Sequence, residues 1–258
     1  TDDANYSGSG RPVAAVFRKS KLNGMAEFEW AGSDYRYEHT MEHVLYLQLP
    51  FALKEGAAYQ LQINSATGAD SSSAAFTFDS FNQVSEAIHL NLVGFLNDAS
   101  IKAADVYAWM GDGGARDYSG FEGNKVLVYE PSTGSSTEVG TLRFGQQSAA
   151  EAQGYNLLQS AVWHADFTGF NAPGTYRLVV EGIGASQDFQ IRRDVYRDPF
   201  AVSVLGFFYM RIGQDNLDMT PVPRRPLWIP GESPASTRVI MTSMHPFHPD
   251  WGTFSSGD

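Results

Sequence analysis

Near its C-terminus the chain places Met244-His245-Pro246-Phe247-His248-Pro249-Asp250-Trp251, a segment in which polar and aromatic side chains alternate without the period of a helix or a strand. Two histidines three residues apart, His245 and His248, have the spacing of a metal-ligand pair, because both imidazoles can reach one ion. The chain has no cysteine to complete a thiolate site, so no metal is assigned to them. Trp251 offers other chemistry, since an indole face stacks on CH-rich surfaces such as sugar rings. A second aromatic group, Trp30, Tyr35 and Tyr37, lies in FEWAGSDYRY. A sugar-binding module presents such rings on an exposed face. Phe28 and Trp30 also alternate as core residues do, and Tyr35 and Tyr37 fit one face of a strand, so a binding platform and a structural spacer both stand. Asn5-Tyr6-Ser7 has the pattern of a glycosylation acceptor.

The elements that must position these residues come from a chain of 258 residues, enough for one large domain or two smaller ones. The sequence is 43% hydrophobic and 13% aromatic, as packed globular material is. Its net charge of −11, with only 18 Lys and Arg, argues against nucleic acid and anionic membrane surfaces. Neutral polymers such as polysaccharides meet no such penalty. The absence of cysteine excludes disulfides and thiol catalysis. The start at Thr1, without Met or apolar leader, suits a mature exported protein or a trimmed one. No apolar run reaches the ~18 residues of a membrane span.

Residues 1–11 are polar and rich in Gly and Ser, the composition of a flexible lead-in. Strand-like runs follow at Val13–Arg18, Met25–Trp30, Val44–Leu49, Ala57–Ile63 and Ala74–Phe78, with Gly, Asn, Ser and Asp between them. They predict a small β-sandwich within residues 1–85, and 80–86 reads as a linker. A second series runs through Ile88–Val93, Ala104–Trp109, Lys125–Tyr129, Val139–Phe144, Leu157–Phe167, Tyr176–Val180 and Phe189–Ile191. Seven strands at this spacing predict an immunoglobulin-like sandwich over 86–195. Tyr176, just after Pro173-Gly174, stands where such sandwiches carry a tyrosine corner; a core Tyr with its hydroxyl at the surface is the other reading.

Residues 196–258 break the pattern. Asp198 is a good N-cap and Pro199 suits the first helical position. No charge occurs from Phe200 to Met210, apolar residues cover every face, and Gly213 is a natural stop. A helix apolar all round must be buried on all sides. Two sandwiches do not enclose it, so the expectation is the first helix of a helical domain whose remainder lies outside this chain.

The order of these elements resembles the N-terminal half of family 9 glycoside hydrolases, cellulases with an immunoglobulin-like domain ahead of an (α/α)6 barrel. Ile88 to Phe95 (IHLNLVGF) followed by Lys102 is similar to the family's opening strand, with Leu92 and Phe95 in place of Gln and Tyr. Trp163 to Thr168 resembles its Asp-Phe-Ser strand, and Gly174 to Leu178 with Ser186 to Ile191 its closing hairpin. Phe207-Phe208-Tyr209-Met210-Arg211-Ile212-Gly213 resembles the first barrel helix. Residues 1–80 lie outside the likeness.

The resemblance implies a mainly β chain: two sandwiches, then the opening of a barrel completed elsewhere. It implies a secreted or periplasmic enzyme hydrolysing β-1,4-glucan by inverting acid/base chemistry, with β-glucan and the rest of the catalytic domain as partners. That chemistry needs two carboxyl groups, one protonating the leaving oxygen and one activating water. The family's Asp-Ala-Gly-Asp motif is approached by Ser255-Ser256-Gly257-Asp258, but a serine cannot serve as the base at the first position. Asp258 therefore stands at a motif position and also reads as an ordinary loop Asp, and this chain alone is expected to be inactive. On the same resemblance His245, His248 and Trp251 line the edge of a substrate cleft, or form an aromatic loop packed on the barrel. Calcium is the candidate ion the family implies; the zinc that many members hold through two Cys and two His lacks its cysteines here. The alternative is a non-catalytic extracellular adhesion or glycan-binding protein of tandem sandwiches, which has no use for the helix.

Overall fold

Val106, Val126, Leu142, Ala165, Leu178 and Val180 are each fully sealed from solvent, and they define the core. All but Leu142, which lies between two strands, come from two antiparallel sheets. One contains β9 (Lys125–Glu130), β10 (Ser135–Thr141), β13 (Gly174–Val180), β14 (Gly184–Ala185) and β15 (Phe189–Ile191). Its strands run in the order β10-β9-β13-β14, and β15 pairs with the start of β13. The other contains β7 (Ile88–His89), β8 (Ala103–Val106), β11 (Arg143–Gln146) and β12 (Val162–Asp166), in the order β11-β12-β8-β7. Alternation along β12 sends Trp163 and Ala165 inward and His164 and Asp166 outward. At one end of the interior Phe95 meets Phe167 and Phe189 edge to face and those two rings are tilted against each other, with centroids 5.1 to 5.7 Å apart. The computed structural model describes residues 1–7, 12–24, 27–146 and 157–209.

The immunoglobulin-like sandwich expected from the strand spacing is present, but Leu157–Phe167 is strand only over Val162–Asp166, Ala104–Trp109 only over Ala103–Val106, and two further stretches differ in kind. Val139–Phe144, read as one strand, is two: β10 pairs with β9 in the first sheet and β11 pairs with β12 in the second. The chain changes sheets at Leu142, whose side chain is buried, after a bulge between Glu138 and Gly140. Leu90–Val93 is a turn rather than strand: the Asn91 carboxamide accepts from Val93 N and donates to the Gly94 carbonyl.

Residues 1–85, where a small sandwich is expected, contain three local ladders. β1 (Ala15–Leu22) pairs with β4 (Met41–Gln48), β2 (Glu27–Trp30) with β3 (Tyr35–Glu38), and β5 (Ala58–Gln62) with β6 (Ser73–Thr77). The first two ladders are base and tip of one long hairpin. At its base Leu22 faces Met41, and at its tip Glu27 faces Glu38. Five residue steps separate Leu22 from Glu27 and three separate Glu38 from Met41, so the first arm carries two extra residues where base meets tip. Among the described residues of 1–80, only Asp3, Ala57 and Tyr59 are buried.

The described part of the lead-in, residues 1–7, is anchored, contrary to its composition. Tyr59 donates to Asp3 Oδ2 at 2.6 Å, Asn5 N donates to Asp3 Oδ1 at 2.9 Å, and the Tyr6 hydroxyl donates to the Phe51 carbonyl. Nor is 80–86 a free linker. Ser85 N donates to the Ala185 carbonyl at 2.7 Å, Phe81 packs on Tyr129, and Arg177 donates to Asn82 Oδ1 at 3.0 Å. The chain divides after Val195. Beyond it, α1 (Arg197–Tyr209) begins at Arg197, so Asp198 lies in the first turn rather than capping it.

Candidate functional site

His245, His248, Trp251 and Asp258 lie outside the described residues. Among the described residues no group of three or more His, Cys, Asp or Glu side chains is placed to hold a metal ion, so nothing there fits the calcium that the resemblance implies. No helix among them is long and apolar enough to cross a membrane.

The aromatic group of the N-terminal hairpin is brought together. Trp30 faces Tyr35 across the ladder, and Tyr37 lies two residues along β3 from Tyr35, on the same face. Their ring centroids are spaced 4.9 Å (Trp30 to Tyr35) and 6.4 Å (Tyr35 to Tyr37), with interplanar angles of 63° and 43°. Trp30 is 58%, Tyr35 48% and Tyr37 63% exposed. Every residue from Glu29 to Thr40 is exposed. The rings form a strip in water, not part of a core.

The base of this hairpin is fixed to the sandwich. A short loop, Met110 to Gly114, closes on itself through Met110 N to the Gly114 carbonyl, 2.8 Å. Arg18 N donates to Asp112 Oδ1 of that loop at 2.6 Å. Gly111 has φ +67°, and a Cβ there would collide with the Arg18 backbone; one at Gly113 would strike the Phe17 ring. Lys19 adds an ion pair to Glu86 at 3.0 Å, and the Tyr46 hydroxyl donates to the same carboxylate. The loop residues that receive the hairpin escaped the sequence reading; Asp112-Gly113-Gly114 was the only signal, and it reads as a turn.

Within the sandwich, the tyrosine corner is formed: Tyr176 donates to the Pro173 carbonyl at 3.2 Å, and burial pushes its phenol pKa up. Lys102, noted in sequence only as following the opening strand, is fully buried. Its Nζ donates to Asn171 Oδ1 at 2.9 Å and to the carbonyls of Asn97 and Ala99 at 3.3 Å. Three neutral oxygens thus compensate the buried ammonium, tying the 97–99 turn to the turn after β12.

The helix closes the described chain. Phe200 is 69%, Val202 69% and Phe207 76% exposed, and Val204 is about half exposed, so its apolar residues are not gathered on one stripe.

Against known proteins, residues 83–185 match the family described as the cellulase N-terminal ig-like domain. Endoglucanase D of Acetivibrio thermocellus is 32% identical over 131 residues, which is 51% of this chain and 17% of that protein. The chain thus spans under a fifth of that relative's length. Among solved structures, a metagenome-derived glycoside hydrolase family 9 endoglucanase aligns at 23% identity over 62% of this chain and 26% of its own, with a TM-score of 0.41. The family 9 endoglucanase J30 aligns at 26% over 59% and 24%, with a TM-score of 0.38. The matched stretch starts in the ordered 83–86 segment and ends in β14, so it is the sandwich itself that carries the likeness. Residues 83–185 are thus similar to the cellulase N-terminal ig-like domain, and the stretch shared with Endoglucanase D covers about half of this chain.

Proposed function

We propose that the chain is the N-terminal portion of a secreted or periplasmic enzyme that hydrolyses β-1,4-glucan, or a related β-glucan, by inverting acid/base chemistry. The observation that carries this reading is α1, which follows the sandwich after a short connection and exposes Phe200, Val202 and Phe207. An apolar helix needs cover from other helices. A helical catalytic domain following the sandwich supplies it, and the relative named endoglucanase supports that reading. Residues 196–258 then open an (α/α)6 barrel.

In this reading the two catalytic carboxyl groups lie outside residues 1–258, with Asp258 at the margin of the base motif. One protonates the glycosidic oxygen, and the other, about 6.5–9.5 Å away, activates the water that attacks from the opposite face. His245, His248 and Trp251 border the cleft. A polymeric substrate is met outside the cell, which fits export. The test is a full-length assay on soluble β-glucan, with the anomer of the first product followed by NMR. The expected result is hydrolysis giving the α-anomer first, with no turnover above blank by residues 1–258. First release of the β-anomer would overturn inversion. A full-length protein without hydrolysis would favour the adhesion reading.

A further inference from the structure

We infer that the tip of the N-terminal hairpin, Glu27 to Glu38, is a second glycan-binding element, taking a single soluble β-glucan chain through Trp30, Tyr35 and Tyr37. The choice of glucan rests on the function proposed above; the choice of a neutral, ring-shaped ligand does not.

The geometry comes first. Three aromatic rings share one face of a two-stranded ribbon as a continuous patch, Tyr35 meeting Trp30 across the ladder at 4.9 Å and Tyr37 along its own strand at 6.4 Å. Each step is comparable with the width of one pyranose ring. All three rings are open to water at the end of an arm whose base is already fixed by Phe17, Arg18 and Lys19. Cross-strand aromatic pairs do stabilise ribbons, at about 0.2–1 kcal/mol each. Tyr37 stands opposite Phe28 in the same ladder, so pairing accounts for its place on the ribbon but not for the 63% of it that stays open to water beside Tyr35.

Charge then selects the ligand. Along the tip, Glu27, Glu29, Asp34 and Glu38 outnumber Arg36, in a chain of net charge −11. That field repels uronate polymers, nucleic acid and acidic lipid. A neutral polyol feels no repulsion, and its axial C–H faces stack on π-systems while its hydroxyls bond phenols such as those of Tyr35 and Tyr37.

Ring tilt narrows the ligand further. Planes turned 63° and 43° from one another cannot lie together on a flat crystal face. They can follow one twisted chain, so soluble glucan is preferred over crystalline cellulose.

The experiment uses residues 1–258 in affinity electrophoresis through gels holding hydroxyethylcellulose, mixed-linkage β-glucan, xylan or mannan, with a parallel pull-down on microcrystalline cellulose. Retardation by the soluble β-glucans is expected, with little pull-down. Trp30→Ala should weaken retardation about tenfold, and Trp30→Phe should restore most of it. Tyr37→Ala, farther along the strip, provides a second variant that leaves the Trp30–Tyr35 pair intact. The sandwich's melting transition should be unchanged in all three. Wild-type affinity in both alanine variants, or no retardation of the wild type, would overturn the inference. So would preference for the crystalline polymer, or self-association in sedimentation that Trp30→Ala abolishes without any glycan bound. Retardation by xylan or mannan alone would overturn the glucan assignment of the tip, while hydrolysis by the full-length enzyme is judged in its own assay.

Discussion

Val16 and Val126 each sit in an antiparallel strand with alternating burial, yet Val126 is sealed and Val16 is half exposed. The difference is what stands opposite. Val126 in β9 meets a second sheet that brings Val106, Leu142 and Ala165 to the same interior. Val16 in β1 has a partner strand and no second layer. Alternation reports which face a side chain takes; it does not report whether another sheet will cover that face. The sandwich is thus held by non-local packing, and the arm by its ladder plus a few contacts to one loop.

This contrast can be broken at the sandwich first. Phe189→Ala, which removes a ring in contact with Phe95, Phe167 and Tyr176, should cost about 3–5 kcal/mol and lower the single main melting transition. A loss confined to the arm, seen by amide exchange, would mean that the two regions do not differ in the way described. Asp112→Ala removes the acceptor of Arg18 N at the root of the arm. It should cost about 1 kcal/mol and speed exchange in β1 and β4 while the sandwich amides stay protected. Equal deprotection of both regions would make the arm part of the sandwich's cooperative unit.

The smallest effect is at the N-terminus. The Tyr59 hydroxyl, the Asn5 amide and nearby Lys54 hold the Asp3 carboxyl below its usual value of 3.8. A carboxylate with a depressed folded pKa stabilises above the unfolded value and loses that contribution as pH falls through the folded one. Between pH 5 and pH 2, residues 1–7 should therefore release from Tyr59 before the sandwich melts. Proteolytic nicking or the Tyr59 ring signals would follow it, and a clip unchanged at pH 2 would contradict the assignment.

Much of the sandwich was legible beforehand because its strands are short, regularly spaced and fully apolar inward, and because Pro173-Gly174 sets up the Tyr176 corner. The split of Val139–Phe144 was not legible: Leu142, between the two strands, is buried, so the apolar pattern continues across the change of partner. The polar lead-in misled because Asp3 and Tyr6 find partners some fifty residues away, a pairing that local composition does not encode. β3 was weighed as a strand face for Tyr35 and Tyr37, but not as the partner of β2. Of the candidate site, Trp30, Tyr35 and Tyr37 were visible as residue types, and their alignment emerges only from the register. Lys102 looked like any surface lysine, since burial of an ammonium depends on where two turns bring their carbonyls.

Lys102 has a consequence for the chemistry of the chain as a reagent sees it. Of its five lysines, Lys19, Lys21, Lys54 and Lys125 keep their amines at least partly in water, where an acylating agent can collide with them. The Lys102 amine is enclosed and has its protons committed to three oxygens. It can be modified only in the instants when the turns at 97–99 and 171 part. Its acylation rate is therefore a clock for the opening of one end of the sandwich, written into the native sequence without any added label.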